Sequence, residues 1–305
     1  MLSSSQAFDP QRLAALRAAV ESGTFEAAAR ELRVTPSAIS QRIKSLESQT
    51  GRVLLQRSKP VTPTESGEVL LRLARQLDAL GREASSVLGR LGRASGGPTD
   101  GNGPQLERLP IAVNADSLAT WLLPALAPLA GEIAFDLHRA DETQTTELLR
   151  RGAVTAAITA DPVPVQGCSS TRLGAMRYVP MASPEFARRW FGGGRTLAQE
   201  LTLAPVVVFD RADTLQDRYL RGLGVDPTVP PCHYVPSSAD FVRAIRLGFG
   251  WGLVPQQQLE EGDSLVEIDP GASIDVPLFW QQWQLHTDAL ERAAHAVAEA
   301  SSRAL

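Results

Sequence analysis

The chain has 305 residues, of which 43% are hydrophobic and 21% charged, and its formal net charge at pH 7 is −4. This length is sufficient for two or three domains with buried cores. No apolar run reaches the roughly 18 residues of a membrane-spanning helix, so we expect no membrane association.

The N-terminal residues lack the charged-then-apolar layout of a signal peptide. Cys168 and Cys232 are far apart in the sequence and lack the paired spacing of a zinc site or a disulfide framework. We therefore expect a cytoplasmic protein, and two cysteines with structural rather than redox roles.

Charge is distributed unevenly along the chain. Residues 1–94 contain 14 lysines and arginines against 9 acidic residues, whereas the remainder contains 16 against 25. A basic N-terminal segment on an acidic body is typical of a nucleic-acid-binding module joined to a second domain.

Three short helices are predicted in the basic segment. "PQRLAALRAAVESG" carries an inward stripe of Leu13, Leu16 and Val20, and "SGTFEAAARELRV" begins after the capping residue Thr24. In "VTPSAISQRIKSLESQTG", Thr35 is a good N-cap and Pro36 suits the first helical position. Helices of this length joined by tight turns predict a helix-turn-helix domain.

The third helix has an unusually polar outer face, formed by Ser37, Gln41, Lys44 and Ser48. Hydroxyl, amide and ammonium groups read base edges and hold phosphates in a major groove. An ordinary solvated face is the alternative, but the three-helix context favours DNA. We predict DNA contacts from the start and outer side of this helix, at Thr35, Pro36, Ser37, Ser40, Gln41, Arg42 and Lys44.

The next segment, "RVLLQRSKPVTPTESG", has two prolines and a short apolar run between basic residues. It predicts a β-turn wing in which Arg57 and Lys59 reach phosphates or the minor groove.

A long helix follows, with Thr64 as its cap and Glu65 and Glu68 in its first turn. Its apolar residues are spaced alternately by three and four, at Leu70, Leu73, Leu77, Leu80, Ala84, Val87 and Leu91. Such a stripe is often core within one chain, but the strict heptad favours pairing with a second copy, so we expect a homodimer.

Residues 10–94 resemble the N-terminal domain of LysR-type transcriptional regulators, through "AAARELRVTPSAISQRIKSLE" and "LLQRSKPVTPTESGEVLL". "SQRIKSLE" is similar to the branch that includes the ArgP and LysG regulators. The resemblance continues through "IAVNADSLATWLLPAL", "DPVPVQGC", "LGAMRYVPMASPEF" and "VPLFWQQWQL". It implies an effector domain like a periplasmic binding protein, lysine or arginine as effector, activation of a basic amino-acid exporter, and a homodimer or homotetramer. RNA polymerase is a further expected partner.

Beyond the Gly- and Pro-rich break "SGGPTDGNGP", strands alternate with helices, which predicts a parallel α/β sheet. Pro-rich joints around Asp161–Val165 suggest two lobes around a cleft. We predict four regions: a winged helix-turn-helix domain at 1–63, a dimerising helix at 64–94, a hinge at 95–107 and an effector domain at 108–305. The family resemblance implies that the C-terminus returns to the first lobe, so lobe I would comprise 108–163 and 266–305, and lobe II 164–265.

Polar residues follow the predicted strands of both lobes, where open α/β sheets bind their ligands. Free helix amides near Ser117 suit an α-carboxylate, and the acidic residues suit a cation. Capping of local turns, or plain solvation, is the alternative at each position. We predict effector contacts from Asn114, Asp116, Ser117, Asp141, Glu142, Thr159 and Asp210, while Asp161 and Asp213 also follow strands.

Two other function classes compete with a regulator. A small-molecule binding protein with an N-terminal assembly module would not require the polar face of the third helix. An enzyme would require an activated nucleophile, a metal set or a cofactor loop. The four histidines are scattered, and "GFGWG" at 248–252 follows a helix rather than a strand, so it predicts a turn and not a dinucleotide site. We expect no cofactor and no metal.

Overall fold

The computed structural model describes residues 7–56, 58–94, 106–259, 262 and 264–305. Arg57 and most of the predicted hinge lie outside these residues. Among the described residues, no helix combines the length and apolar character needed to cross a bilayer.

The N-terminal domain consists of α1 (Pro10–Glu21), α2 (Phe25–Glu31) and α3 (Pro36–Thr50). The side chains of Asp9, Thr24 and Thr35 cap these helices by accepting backbone N–H bonds. α3 ends at Gly51, whose φ of +65° is the left-handed conformation that favours glycine. The helices enclose one buried cluster, which includes Leu13, Leu16, Ile39, Ile43 and Leu46.

The predicted wing is a short antiparallel pair, β1 (Leu55–Gln56) with β2 (Thr62–Pro63). It leads into the 30-residue helix α4 (Glu65–Ala94), where the Thr64 hydroxyl accepts from the Gly67 N–H at 3.1 Å.

The heptad stripe of α4 has two different environments. Leu70 is buried in the N-terminal core, with Leu73 packed against it. Farther along, Leu77, Leu80 and Val87 are exposed, and the side chain of Leu91 lies outside the described residues. The first part of the stripe therefore packs α4 against the N-terminal domain, and the later part leaves an exposed apolar edge.

The body of the protein, which comprises the elements after α4, is a mixed α/β structure. Its elements, in chain order, are β3 (Glu107–Val113), α5 (Ala115–Ser117), a π-helical turn (Leu118–Leu122), α6 (Leu123–Leu126), β4 (Ile133–Arg139), α7 (Glu142–Arg151), β5 (Ala156–Thr159), β6 (Cys168–Ala182), α8 (Pro184–Trp190), α9 (Leu197–Leu203), β7 (Val206–Val208), α10 (Leu215–Gly222), β8 (Cys232–Tyr234), α11 (Ser238–Arg246), β9 (Gly252–Pro255), β10 (Val266–Glu267), β11 (Ile274–Trp283) and α12 (Asp288–Ala304).

Two parallel strand sets form the two lobes. In lobe I, β3 pairs in parallel with β4 and β5, and in lobe II, β7 pairs in parallel with β8. The long strands β6 and β11 run antiparallel to each other and connect the lobes: β11 pairs with β5, while the second half of β6 pairs with β9 and β10. The lobes therefore share a continuous pair of strands rather than separate linkers.

The C-terminal helix α12 packs against α6 and β3. At its end, the Ala304 carbonyl accepts from Gln257 Nε2 at 2.7 Å. Trp280 and Trp283 on β11 are almost fully buried, so these side chains of the strand serve core packing.

Candidate DNA-binding and effector-binding sites

The polar outer face of α3 is exposed in the structure. Ser37, Gln41, Lys44 and Ser48 are exposed, because Ile39, Ile43 and Leu46 turn the opposite side of the helix into the core. The polar groups of α3 are therefore available to a nucleic acid along the length of the helix.

The other predicted DNA contacts have more varied surroundings. Thr35 caps α3 and its hydroxyl lies 2.9 Å from that of Ser37. Arg42 Nη2 donates to Gln11 Oε1 at 3.0 Å, which ties α3 to α1. Pro36 is exposed as the first helical residue, Ser40 is half-buried, and Lys59 is exposed in the wing.

The segment that follows β3 in lobe I contacts residues of lobe II directly. Asp116, just after β3, accepts from Tyr178 Oη on β6 at 2.7 Å and from Ser238 Oγ on α11 at 2.5 Å. Ser238 also accepts from the Gln258 side chain. Asp116 thus makes one of the contacts between lobe I and lobe II, which are also connected by β6 and β11.

Asp213, in the loop after β7, is a second carboxylate near this junction. Its side chain accepts from the N–H groups of Leu215 and Phe209 at 2.9 and 3.3 Å. Burial raises the pKa of Asp213, the two backbone hydrogen bonds oppose this, and the charges of Asp116 and Asp210 raise it further. Burial and the nearby Asp116 and Asp213 also raise the pKa of Tyr178.

Three carboxylates, those of Asp116, Asp210 and Asp213, therefore lie near the junction of the lobes, to which Arg139 also brings a guanidinium through its bond to the Pro236 carbonyl. Among the described residues, none of the groups that shift the pKa of Asp213 is a cation. A bound ligand with a positive group would relieve this repulsion.

The remaining predicted effector residues serve mainly local turns. Asn114, Asp141 and Asp210 accept backbone N–H bonds at the start of the segments that follow their strands, and buried Thr159 accepts from the Asp161 N–H. Ser117 is fully buried. The side chain of Glu142 is outside the described residues. An effector role for each of these residues stays a prediction.

Several residues at the junction were missed from the sequence: Tyr178, Ser238, Gln258 and, as a chosen site residue, Asp213. Tyr178 lies inside a long strand and Ser238 begins a helix, so neither follows a parallel strand directly. Asp213 does follow one, but sequence alone does not distinguish its carboxylate from that of Asp210, which caps the same loop.

The helix α4 also contacts the body of the same chain. Arg75 Nη1 donates to the Arg151 carbonyl at 2.9 Å, and Arg72 Nη2 donates to the Gln166 carbonyl. Arg75 Nε also bonds to Glu21 of α1 at 3.0 Å. These arginines join the DNA-binding domain, the long helix and the effector domain.

Comparison with known proteins identifies the family. Residues 10–68 match the bacterial regulatory helix-turn-helix proteins of the lysR family, and residues 102–302 match the LysR substrate binding domain. The chain belongs to the LysR family. The predicted fold class is confirmed. The family also confirms the prediction that the protein is a DNA-binding transcriptional regulator controlled by a small effector, rather than an enzyme.

The regulator falls in the branch that contains LysG and ArgP. It is 39% identical to the lysine export transcriptional regulatory protein LysG of Corynebacterium efficiens over 97% of this chain and 99% of the relative. The crystal structure of ArgP from Mycobacterium tuberculosis is 40% identical with a TM-score of 0.85, covering 97% of this chain and 98% of that one. Full-length LysG from Corynebacterium glutamicum with bound effector Arg is 35% identical with a TM-score of 0.79, covering 97% and 99%.

Proposed function

We propose that this regulator responds to lysine or arginine and activates a gene for export of basic amino acids. The observation that carries the proposal is the pair of carboxylates, Asp116 and Asp213, at the junction of the two lobes. The names of the relatives support it independently, since one regulates lysine export and another was solved with arginine bound.

The effector binds between the lobes, in contact with Asp116 and the groups that follow the parallel strands. Its carboxylate is held by donors near Ser117, and its positive groups by the carboxylates. Asn114, Asp141, Glu142, Thr159 and Asp210 remain further candidate contacts from the rim of the cleft.

DNA is bound by the outer face of α3 in the major groove and by Arg57 and Lys59 of the wing. The regulator acts as a homodimer or homotetramer paired through α4, and RNA polymerase is its partner at the promoter. The helix-turn-helix domain at 1–63, the helix at 64–94, the hinge at 95–107 and the effector domain at 108–305 divide these roles.

Isothermal titration calorimetry of the purified full-length protein tests the effector assignment. We expect lysine or arginine to bind well above leucine, glutamine and glutamate. A charge-assisted hydrogen bond contributes about 1.5–3 kcal/mol, which corresponds to roughly ten- to hundredfold in affinity. Equal affinity for leucine and lysine, or tightest binding of glutamate, would contradict the assignment and leave a LysR regulator with a different effector.

A further inference from the structure

The turn between α2 and α3 contains a residue in an unusual backbone conformation. Arg33 has a φ of +54°, and among the described residues every other positive φ belongs to a glycine. The turn closes the end of α2 in a common way, because the Val34 N–H donates to the Ala29 carbonyl at 2.9 Å. Glycine is the residue that fits this position at the least cost. The chain therefore carries an arginine where its backbone favours glycine.

Two other helices of the protein end with the expected residue. α3 ends at Gly51 with a φ of +65°, and α7 ends at Gly152 with a φ of +68°. A side chain in this left-handed conformation crowds the neighbouring backbone, so an arginine there reduces the stability of the fold. Residues that stand against a local preference of the backbone are found mainly at functional sites. The function must belong to the side chain of Arg33, since that is what glycine lacks.

The side chain of Arg33 makes no bond within the folded chain. It is exposed, and among the described residues no hydrogen bond, ion pair or ring contact involves its guanidinium group. By contrast, Arg17 in the same domain pairs with Glu21 at 2.7 Å. A guanidinium is a permanent cation whose planar N–H donors suit a carboxylate or a phosphate. The side chain is therefore available to an anion outside the chain.

The position of Arg33 in the domain indicates which anion this is. Arg33 lies two residues before Thr35, the N-cap of α3. In a helix-turn-helix, the N-terminal residues of the second helix contact base edges in the major groove, and the first helix crosses the sugar–phosphate backbone. The turn between the two helices then lies where that backbone borders the groove, so a phosphate is the anion within reach.

We propose that Arg33 binds a DNA phosphate at the border of the major groove that α3 enters. This rests on the proposed docking of α3. The contact holds the start of α3 against the DNA without reading a base, and it adds to the phosphate contacts proposed for the wing. It also explains why a cation occupies a position where glycine would suit the fold better.

Fluorescence anisotropy with the full-length protein tests the contact at several salt concentrations. The probes are the DNA next to the protein's own gene and a random-sequence duplex of the same length. Arg33→Asn removes the charge with a residue that tolerates the left-handed conformation, and Arg33→Lys keeps the charge. Arg218→Asn is the matched control, because it removes the same charge from an exposed arginine of the effector domain. Thermal unfolding is measured for each variant.

Arg33→Asn is expected to weaken binding to both duplexes several-fold. The log–log salt slope should fall by about one unit for each helix-turn-helix bound, because one phosphate contact is lost. The unfolding temperature of Arg33→Asn should equal or exceed that of wild type. Arg33→Lys should keep most of the affinity and of the salt slope, and Arg218→Asn should match wild type.

Three results for Arg33→Asn would overturn the phosphate contact: binding like wild type, weakened binding to only one of the duplexes, or a lower unfolding temperature. A loss of affinity in Arg33→Lys as large as in Arg33→Asn would overturn it as well. Lys44→Ala on the same duplexes tests the docking separately. If Lys44→Ala binds like wild type, the docking of α3 is wrong, whereas weakened Lys44→Ala with unchanged Arg33→Asn overturns the role of Arg33 alone.

Discussion

At the scale of single residues, the partly buried charge of Asp213 is expected to reduce the stability of the unliganded protein. Its folded-state pKa is raised, chiefly by burial, with Asp116 and Asp210 adding to the effect. A carboxyl group with a raised pKa binds its proton more tightly in the folded than in the unfolded chain. Its ionised form therefore costs free energy of folding at neutral pH.

We predict that Asp213→Asn raises the unfolding temperature of the unliganded protein at neutral pH. The difference from wild type should shrink as the pH falls through the raised pKa of Asp213 towards its ordinary value near 3.8, because the wild-type carboxyl then takes up its proton. Thermal unfolding followed by circular dichroism over this pH range measures the effect. An Asp213→Asn protein less stable than wild type at every pH would show that its backbone hydrogen bonds outweigh the buried charge.

At the scale of elements, some residues of α3 are expected to determine DNA affinity, and others to determine which DNA sequence is preferred. Lys44→Ala should weaken binding to all DNA sequences and reduce the log–log salt slope by about one unit, because one phosphate contact is lost. Arg57→Ala should do the same. Ser37→Ala or Gln41→Ala should instead change which base pairs are preferred.

Fluorescence anisotropy at several salt concentrations, on operator and altered sequences, distinguishes these outcomes. Arg218→Ala is the control for net charge, because Arg218 is exposed on the effector domain. If the α3 and Arg57 variants all bound DNA as wild type does, the docking of α3 would be wrong.

The helix α4 is expected to form the dimer through the exposed half of its heptad stripe. Leu77 is 40% and Leu80 41% exposed, so these leucines gain most from a second copy. Leu77→Lys would bury two charges in the seam at a cost of several kcal/mol. Sedimentation should show dissociated or misassembled protein. Ser85→Lys adds the same charge to exposed α4 surface away from the stripe and should remain dimeric; an unchanged Leu77→Lys dimer would contradict the pairing.

At the scale of the whole molecule, α4 holds the segment where the chain crosses from lobe I to lobe II. Arg72 donates to the Gln166 carbonyl. The same segment is fixed to β11 by Gln281, which donates to the carbonyls of Asp161 and Val163 and accepts from the Val165 N–H. Movement of the lobes would therefore reach α4 through this segment.

We predict that Arg72→Ala leaves lysine affinity near the wild-type value but reduces the effect of lysine on DNA binding. The effector contacts remain, whereas a bond between the body and α4 is lost. Calorimetry and anisotropy on the same preparations measure the two quantities. Arg82→Ala is the control, because Arg82 pairs with Asp78 within α4. An Arg72→Ala protein with the full wild-type response would show that this contact does not transmit the signal.

The sequence predicted the elements well because their signals are local. Thr24, Thr35 and Thr64 cap helices in the structure as their positions indicated. The contacts between the lobes were harder to predict, because they join distant segments of the chain. Asp116 meets Ser238 across 122 positions, and the choice between Asp210 and Asp213 depends on the conformation of one loop. The contact between Arg72 and Gln166 depends on how the domains pack, which no local pattern encodes.

A basic amino acid is expected to control how this regulator binds DNA. DNase I footprinting on the DNA next to the protein's own gene, with lysine, with norleucine (the analogue without the ε-ammonium) and without ligand, tests this most directly. We expect a protected site in all three cases, with its extent or affinity altered by lysine and unaltered by norleucine. An absent footprint, or identical footprints with lysine, with norleucine and without ligand, would contradict the account.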